Sequence, residues 1–147
     1  MEKIEVKYTA SNGAVIPEYK TAGAAGADVY AYLPQGSVTI KSGKFAMIPT
    51  GVFYEIPMGY EIQVRPRSGL AFKNGITVLN SPGTIDSDYR GELKILLINF
   101  GEQDFTINNG DRIAQIIISS VVQAEFSAAE SLSKTERGEG GFGSTGV

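Results

Sequence analysis

Ten short runs rich in β-branched and aromatic residues recur along the chain at close spacing, and every other observation has to fit that rhythm. They are Ile4–Tyr8, Asp28–Tyr32, Ser37–Ile40, Phe45–Ile48, Val52–Ile56, Tyr60–Arg65, Ile76–Leu79, Leu93–Phe100, Phe105–Ile107 and Ala114–Val122. Runs this short, with turn residues between them, predict an all-β sandwich or barrel. The turns include Pro57-Met58-Gly59, Asn74-Gly75, Ser81-Pro82-Gly83 and Asn108-Asn109-Gly110-Asp111, where Gly and Asn accept the positive φ of tight, hairpin-like connections. From Glu61 to Arg65 polar and apolar residues alternate, so one face of that strand is wet and the other buried. Leu93–Phe100 is apolar on both faces apart from Lys94 and Asn99, which predicts a central strand or one lying against a partner subunit. A helix of a turn or two is expected near Ser68–Lys73, with a second candidate at Ala128–Ser133. A length of 147 residues fits one domain.

The sequence contains neither cysteine nor histidine. That excludes thiol and imidazole nucleophiles, Cys/His zinc sites and disulfides, and it leaves acid–base work to carboxylates, Tyr, Lys or water. A formal charge of -3 gives no basic footprint for a nucleic-acid polymer. The longest apolar stretches, around Ile95–Leu97 and Ile116–Ile118, fall far short of the ~20 residues that cross a bilayer, and Met1–Tyr8 is too polar for a signal peptide. The expectation is a cytoplasmic protein with no membrane partner.

Beyond Ser127 the apolar periodicity ends, and five of the 18 glycines fall in the last ten residues. Alone, such a segment cannot pack. The string Arg137-Gly138-Glu139-Gly140-Gly141-Phe142-Gly143-Ser144-Thr145-Gly146 has the composition of a phosphate loop. Glycines let backbone N–H groups approach an anion, Ser144 and Thr145 add hydroxyl donors, and Arg137 can clamp bidentately. It is not a Walker loop, since it has no Gly-Lys-Ser/Thr ending and no strand or helix around it. A disordered Gly/Ser end reads the same way in composition. Phe142 argues against that, because a linker has no use for a ring able to stack on a base.

Two more groups carry chemistry. Arg65-Pro66-Arg67-Ser68-Gly69-Leu70-Ala71 follows a strand and opens the short helix, placing free N–H groups, a hydroxyl and a guanidinium together as an anion site. An ordinary Ser N-cap with solvated arginines is the plainer meaning of that string. Between Asn80 and Lys94, Asp86, Asp88 and Glu92 crowd seven residues, and one of them beside a reacting phosphate could take a proton from water. The plainer meaning here is a solvated hairpin tip. The pieces Ala22–Asp28 and Gly110–Gln115 each end a turn with a polar residue entering a strand.

In order, these pieces resemble the five motifs of the trimeric dUTP diphosphatases: AGADVYA at Ala25–Ala31, RPRSGLA at Arg65–Ala71, NSPGTIDSDYRGELK at Asn80–Lys94, GDRIAQ at Gly110–Gln115 and RGEGGFGSTG at Arg137–Gly146. The resemblance implies a jelly-roll-like β-sandwich or barrel subunit over residues 1–126. It also implies a Gly-rich C-terminal arm over 127–147 and a homotrimer whose active sites lie at subunit contacts, each closed by a neighbour's arm. It implies Mg²⁺-dependent hydrolysis of dUTP to dUMP and pyrophosphate, which keeps uracil out of DNA and supplies dUMP for dTMP synthesis.

Carried over residue by residue, the resemblance makes Asp86 the base that orients and deprotonates the water attacking the α-phosphorus. Asp28 holds the Mg²⁺ through a water, fitting a hard cation that keeps much of its hydration. Arg67, Ser68, Gly69 and Gln115 grip the phosphates, and Arg137, Gly143, Ser144 and Thr145 close over their far end. Asn80, Thr84, Ile85, Asp86 and the peptide of Lys94 receive uracil, Tyr89 packs under the deoxyribose, and Phe142 covers the base. Ala27 and Thr84 depart from the residues the family commonly has, without touching a charged role. A dCTP deaminase relative would need a glutamate acid/base near the pyrimidine C4 and a different serine/arginine segment. A catalytically idle dUTP-binding regulator would have no need of an intact Asp86 and Arg137.

Overall fold

The computed structural model describes residues 2–143, so Ser144 and Thr145 lie outside the described residues. Ten strands and one short helix follow in the order β1 (Lys7–Ala10), β2 (Ala27–Tyr30), β3 (Ser37–Ile40), β4 (Phe45–Glu55), β5 (Tyr60–Arg65), α1 (Ser68–Asn74), β6 (Ile76–Val78), β7 (Gly83–Ile85), β8 (Glu92–Asn99), β9 (Phe105–Asn108) and β10 (Arg112–Ser120). They form two four-stranded antiparallel sheets, β1-β4-β8-β6 and β2-β10-β5-β7, and a two-stranded ribbon, β3-β9. This is the all-β, jelly-roll-like architecture expected.

The core is aliphatic. Ile40, Ile48, Ile62, Ile76, Leu93, Ile95, Leu97, Ile107 and Ile113 are all buried below 2% exposure. Each contributes roughly 1.5–3 kcal/mol by burial, so losing any one outweighs an exposed ion pair such as Lys7–Glu55 at 3.6 Å. On β5 the expected alternation holds, with Ile62 and Val64 buried and Glu61, Gln63 and Arg65 not. As expected for a strand apolar on both faces, β8 is central, paired with β4 on one side and β6 on the other. Opposite it on β4, Phe45 and Met47 are each 61% exposed and pair with Ile98 and Leu96, so an apolar strip faces away from the core.

Three expectations need correction. Phe45–Ile48 and Val52–Ile56 are one strand: Pro49 and Gly51 look like a break, but they form a bulge where the β4–β8 register shifts between Pro49 and Phe53. Gly51 has φ 68°, and a Cβ there would come within 2.8 Å of Ala14 Cβ and 2.9 Å of the Tyr32 ring. Thr50 Oγ1 donates to Leu93 O at 2.6 Å and Gly51 N–H to Glu92 Oε1 at 2.9 Å, so the bulge stays tied to β8. Second, the sequence puts Gly83 in the Ser81-Pro82-Gly83 turn and no strand at Thr84 or Ile85, yet Gly83–Ile85 is strand β7. After Val78 the chain leaves the first sheet, lays β7 on the edge of the second and returns at Glu92. Third, Ala128–Ser133 is not helical. It is exposed throughout, with nothing to pack an apolar face against. The expected helix is present as α1, but Arg67 rather than Ser68 is its N-cap, and no side chain caps it.

Candidate active site

A polar row crosses three strands of the second sheet, because Gln115 on β10 lies opposite Asp28 of β2 on one side and Arg65 of β5 on the other. Pro66 cannot continue the ladder, and the chain turns so that Arg67 comes back over β10. Arg67 Nη1 donates to Arg112 O at 2.9 Å, and its Nε lies 3.4 Å from Asp28 Oδ1. Arg112 Nη1 donates to Asp28 Oδ2 at 3.1 Å. Gln115 Nε2 donates to Pro66 O at 3.0 Å, and a Cβ on Gly26 would collide with Gln115 Oε1, so glycine is required for this amide to lie against the turn.

Asp28 therefore sits between two guanidinium groups with its side chain 15% exposed. Two positive charges against one leave the cluster cationic, and Ser68 and Gly69 stand exposed beside it at the start of α1. The arrangement has the chemistry to grip an anion. Arg112, one of its two cations, escaped sequence reasoning although it stands in the string Gly110–Gln115. Its signal was the β10 register past the bulge between Arg112 and Ala114, which only the pairing with β2 reveals. Next to the grip, Glu18 bridges to Asp28 by backbone hydrogen bonds, and its carboxyl is held below the usual range by its hydrogen bond from Lys20.

The other predicted residues form two separate groups. Asn80, Thr84, Ile85, Asp86 and Tyr89 lie on the excursion between β6 and β8, and Lys94 lies at the start of β8 itself. On the excursion Asp86 is exposed, the Tyr89 ring is 46% exposed, and the Tyr89 hydroxyl donates to Glu92 O at 3.0 Å. Arg137, Phe142 and Gly143 lie on a segment whose side chains are exposed. Arg137 Nε donates to Gly140 O at 2.8 Å, and Phe142 is fully exposed with φ 51°.

One subunit does not bring the first two groups together. The strands β5 and β7 are antiparallel, with Val64 opposite Gly83 and Ile62 opposite Ile85. Asp86 thus emerges toward the Tyr60 end of β5, whereas Arg67 emerges from the Arg65 end. The grip sits level with Arg65 and Asp86 level with Glu61, four residue rises or ~13 Å along β5, and three strand spacings or ~14 Å lie between β2 and β7. A cavity of about 310 Å³ is lined by Lys7, Tyr8, Thr9, Phe53, Tyr54, Glu55 and Arg90, away from the grip. Among the described residues no group of three or more acidic side chains could hold a metal ion by itself, and no helix is long and apolar enough to cross a membrane.

The fold is all-β and jelly-roll-like, with a cationic Arg/Asp/Gln cluster at one place on its second sheet and a carboxylate-bearing hairpin at another. The family pattern for dUTPase matches residues 12–146, and the chain belongs to the dUTPase family. It is 54% identical over 144 residues to the deoxyuridine 5'-triphosphate nucleotidohydrolase of Treponema pallidum, covering 98% of this chain and 99% of that protein. It is 60% identical over 137 residues to that of Chlamydia pneumoniae, covering 92% and 94%. Among solved structures it resembles a Staphylococcus bacteriophage 80alpha dUTPase mutant with dUpNHpp, with a TM-score of 0.86, 26% identity and coverage of 99% and 100%. It shares its fold with a mutant dUTPase from phage phi11 of S. aureus, described with a structural Mg(II) ion, at a TM-score of 0.77 and 24% identity over 87% and 98% of the chains.

Proposed function

We infer that this protein is a dUTP diphosphatase, hydrolysing dUTP to dUMP and pyrophosphate. Relatives named deoxyuridine 5'-triphosphate nucleotidohydrolase, at more than half identity over nearly the whole chain, support hydrolysis of dUTP. The single structural observation that carries the mechanism is the separation of Asp86 from the Arg67–Asp28–Gln115 grip by the length of β5. A carboxylate that activates water must come within hydrogen-bond reach of the α-phosphorus that the grip holds. The two halves of a site therefore belong to different subunits of a closed ring, which we take to be a homotrimer. The apolar strip of Phe45 and Met47 supplies a surface for subunit contact.

On this reading Asp86 of one subunit takes the proton from water while Arg67, Ser68, Gly69 and Gln115 of another grip the triphosphate. The hairpin residues Asn80, Thr84, Ile85 and Lys94 receive uracil on backbone donors and acceptors, and Tyr89 occupies the space of a ribose 2′-hydroxyl. The arm, residues 127–147, brings Arg137, Phe142, Gly143, Ser144 and Thr145 over a neighbour's site. Asp28 is a lone carboxylate among cations, a donor set that cannot cage an ion but fits one whose inner ligands are phosphate oxygens and water. Bound there, Mg²⁺ would neutralise charge on the phosphate oxygens. A cytoplasmic location accords with a free-nucleotide substrate.

The test is pyrophosphate release from dUTP, dCTP, dTTP and UTP, with and without Mg²⁺, by the wild type and Asp86→Asn. Release is expected from dUTP alone and with Mg²⁺. Because Asp86 is exposed and packs nothing, the variant should fold and bind normally while turnover falls by orders of magnitude. More than a tenth of wild-type turnover in Asp86→Asn would remove the water-activating role.

A further inference from the structure

The turn carrying Asp86 and Tyr89 is held by a residue to which the motif correspondence gave no role. Tyr89 N–H donates to Asp86 O at 3.1 Å and closes a β-turn over Asp86-Ser87-Asp88-Tyr89. Arg90 Nη1 then donates to Ser87 O at 2.7 Å and to Tyr89 O at 3.1 Å. Among the described residues, no other side chain hydrogen-bonds to the backbone of this turn. Tyr89 is pinned at its far end by its hydroxyl bond to Glu92 O, and a Cβ on Gly91 would collide with that hydroxyl. Glu92 in turn accepts the Gly51 N–H of the β4 bulge, so the tyrosine's anchor is fixed to a buried strand.

Pinning the carbonyls of Ser87 and Tyr89 fixes the peptide planes on either side of the Asp88–Tyr89 segment and so the Tyr89 ring, and the Tyr89 N–H bond to Asp86 O carries that constraint back to the residue bearing the carboxylate. We propose that Arg90 is a positioning residue for the hydrolysis of dUTP, a proposal that rests on the reading above. It acts through the turn and not on substrate. Misplacing a reacting group by about 1 Å can cost on the order of a hundredfold in rate. An exposed side chain whose bonds go to exposed carbonyls has little to contribute to folding itself. Lysine, a single point donor on a flexible stem, cannot hold the two carbonyls as the planar guanidinium does.

The experiment compares wild type, Arg90→Lys and Arg90→Ala in kcat, KM and the preference for dUTP over UTP, with Tm and trimer mass measured on the same samples. Arg90→Ala is expected to lose about tenfold to a hundredfold in kcat. It should also lose much of its dUTP preference, with KM, Tm and mass unchanged, and Arg90→Lys should fall between. Unchanged kcat and preference in Arg90→Ala overturn the proposal. So does a rise in KM alone, which would make Arg90 a substrate contact, or a fall in Tm or mass in step with kcat, which would make it scaffold. If the alanine variant does not fold, the same readouts in Arg90→Lys decide. Wild type silent on dUTP would instead remove the dUTP reading itself, so the two failures are distinguishable.

Discussion

Three buried polar side chains show how unevenly this core treats its hydrogen bonds. Asn99 is fully buried and satisfied, donating to Ile40 O at 2.9 Å and Gln103 O at 2.8 Å and accepting from Gly101 N–H at 2.9 Å. Thr50 is likewise bonded to Leu93 O. Tyr54 is buried, but its hydroxyl has no partner among the described residues. Burial also pushes its phenol well above the ordinary range, because an anion there would lie away from water. A folded-state pKa raised above the unfolded value gives stability that is complete below about pH 10 and is lost as pH rises further. Tyr54→Phe keeps the ring and removes the orphan hydroxyl, whose burial costs about 1–3 kcal/mol. The variant is expected to melt no lower than wild type at neutral pH and to lose less stability above about pH 10. A lower Tm at neutral pH would mean that a neighbouring subunit supplies the missing partner. None of this was legible in the sequence, where Tyr54 was one aromatic in a strand, just as Arg112 was one arginine in a turn.

Legibility among the elements followed how local the determining contacts are. Ser37–Ile40 and Tyr60–Arg65 were readable to the residue because alternation and flanking turns bound them. The bulge in β4 was not, since Pro49 and Gly51 are tolerated there only through bonds to Leu93 and Glu92, more than 40 residues along the chain. Gly83–Ile85 has no strand signature, and it pairs because the excursion from the first sheet lands on the open edge of β5. Among the described residues past Val121, whose N–H still donates to Gly59 O, the remaining order is local, as in Gly138 N–H to Thr135 O and Gly140 N–H to Arg137 O. A ring as exposed as Phe142 contributes nothing to the subunit's own core. Phe142→Ala should therefore leave the Tm of the nucleotide-free protein unchanged while weakening dUTP binding by about 1–3 kcal/mol, the usual worth of a base stack. Parallel melting and titration decide it, and a large drop in nucleotide-free Tm would make the arm structural instead.

At the scale of the whole molecule, the motifs could be read but not their distances. Their order along the chain says nothing of the fact that β5 holds Arg67 and Asp86 apart. If the halves of a site come from different subunits, two dead proteins can make a live one. Arg67→Ala and Asp86→Ala homotrimers should each be nearly inactive. Unfolded and refolded together, they should regain roughly a quarter of the sites intact by random assortment in a closed ring. No recovery, with mixing shown by mass, would place both residues of each site in a single chain. The β5 spacing also bears on how such an enzyme is stopped. A solitary chain is harmless to nucleotide however well it folds, so activity should fade on dilution faster than folding does. A molecule that wedged between subunits, bearing no likeness to any nucleotide, would inhibit by pulling a base away from its phosphate.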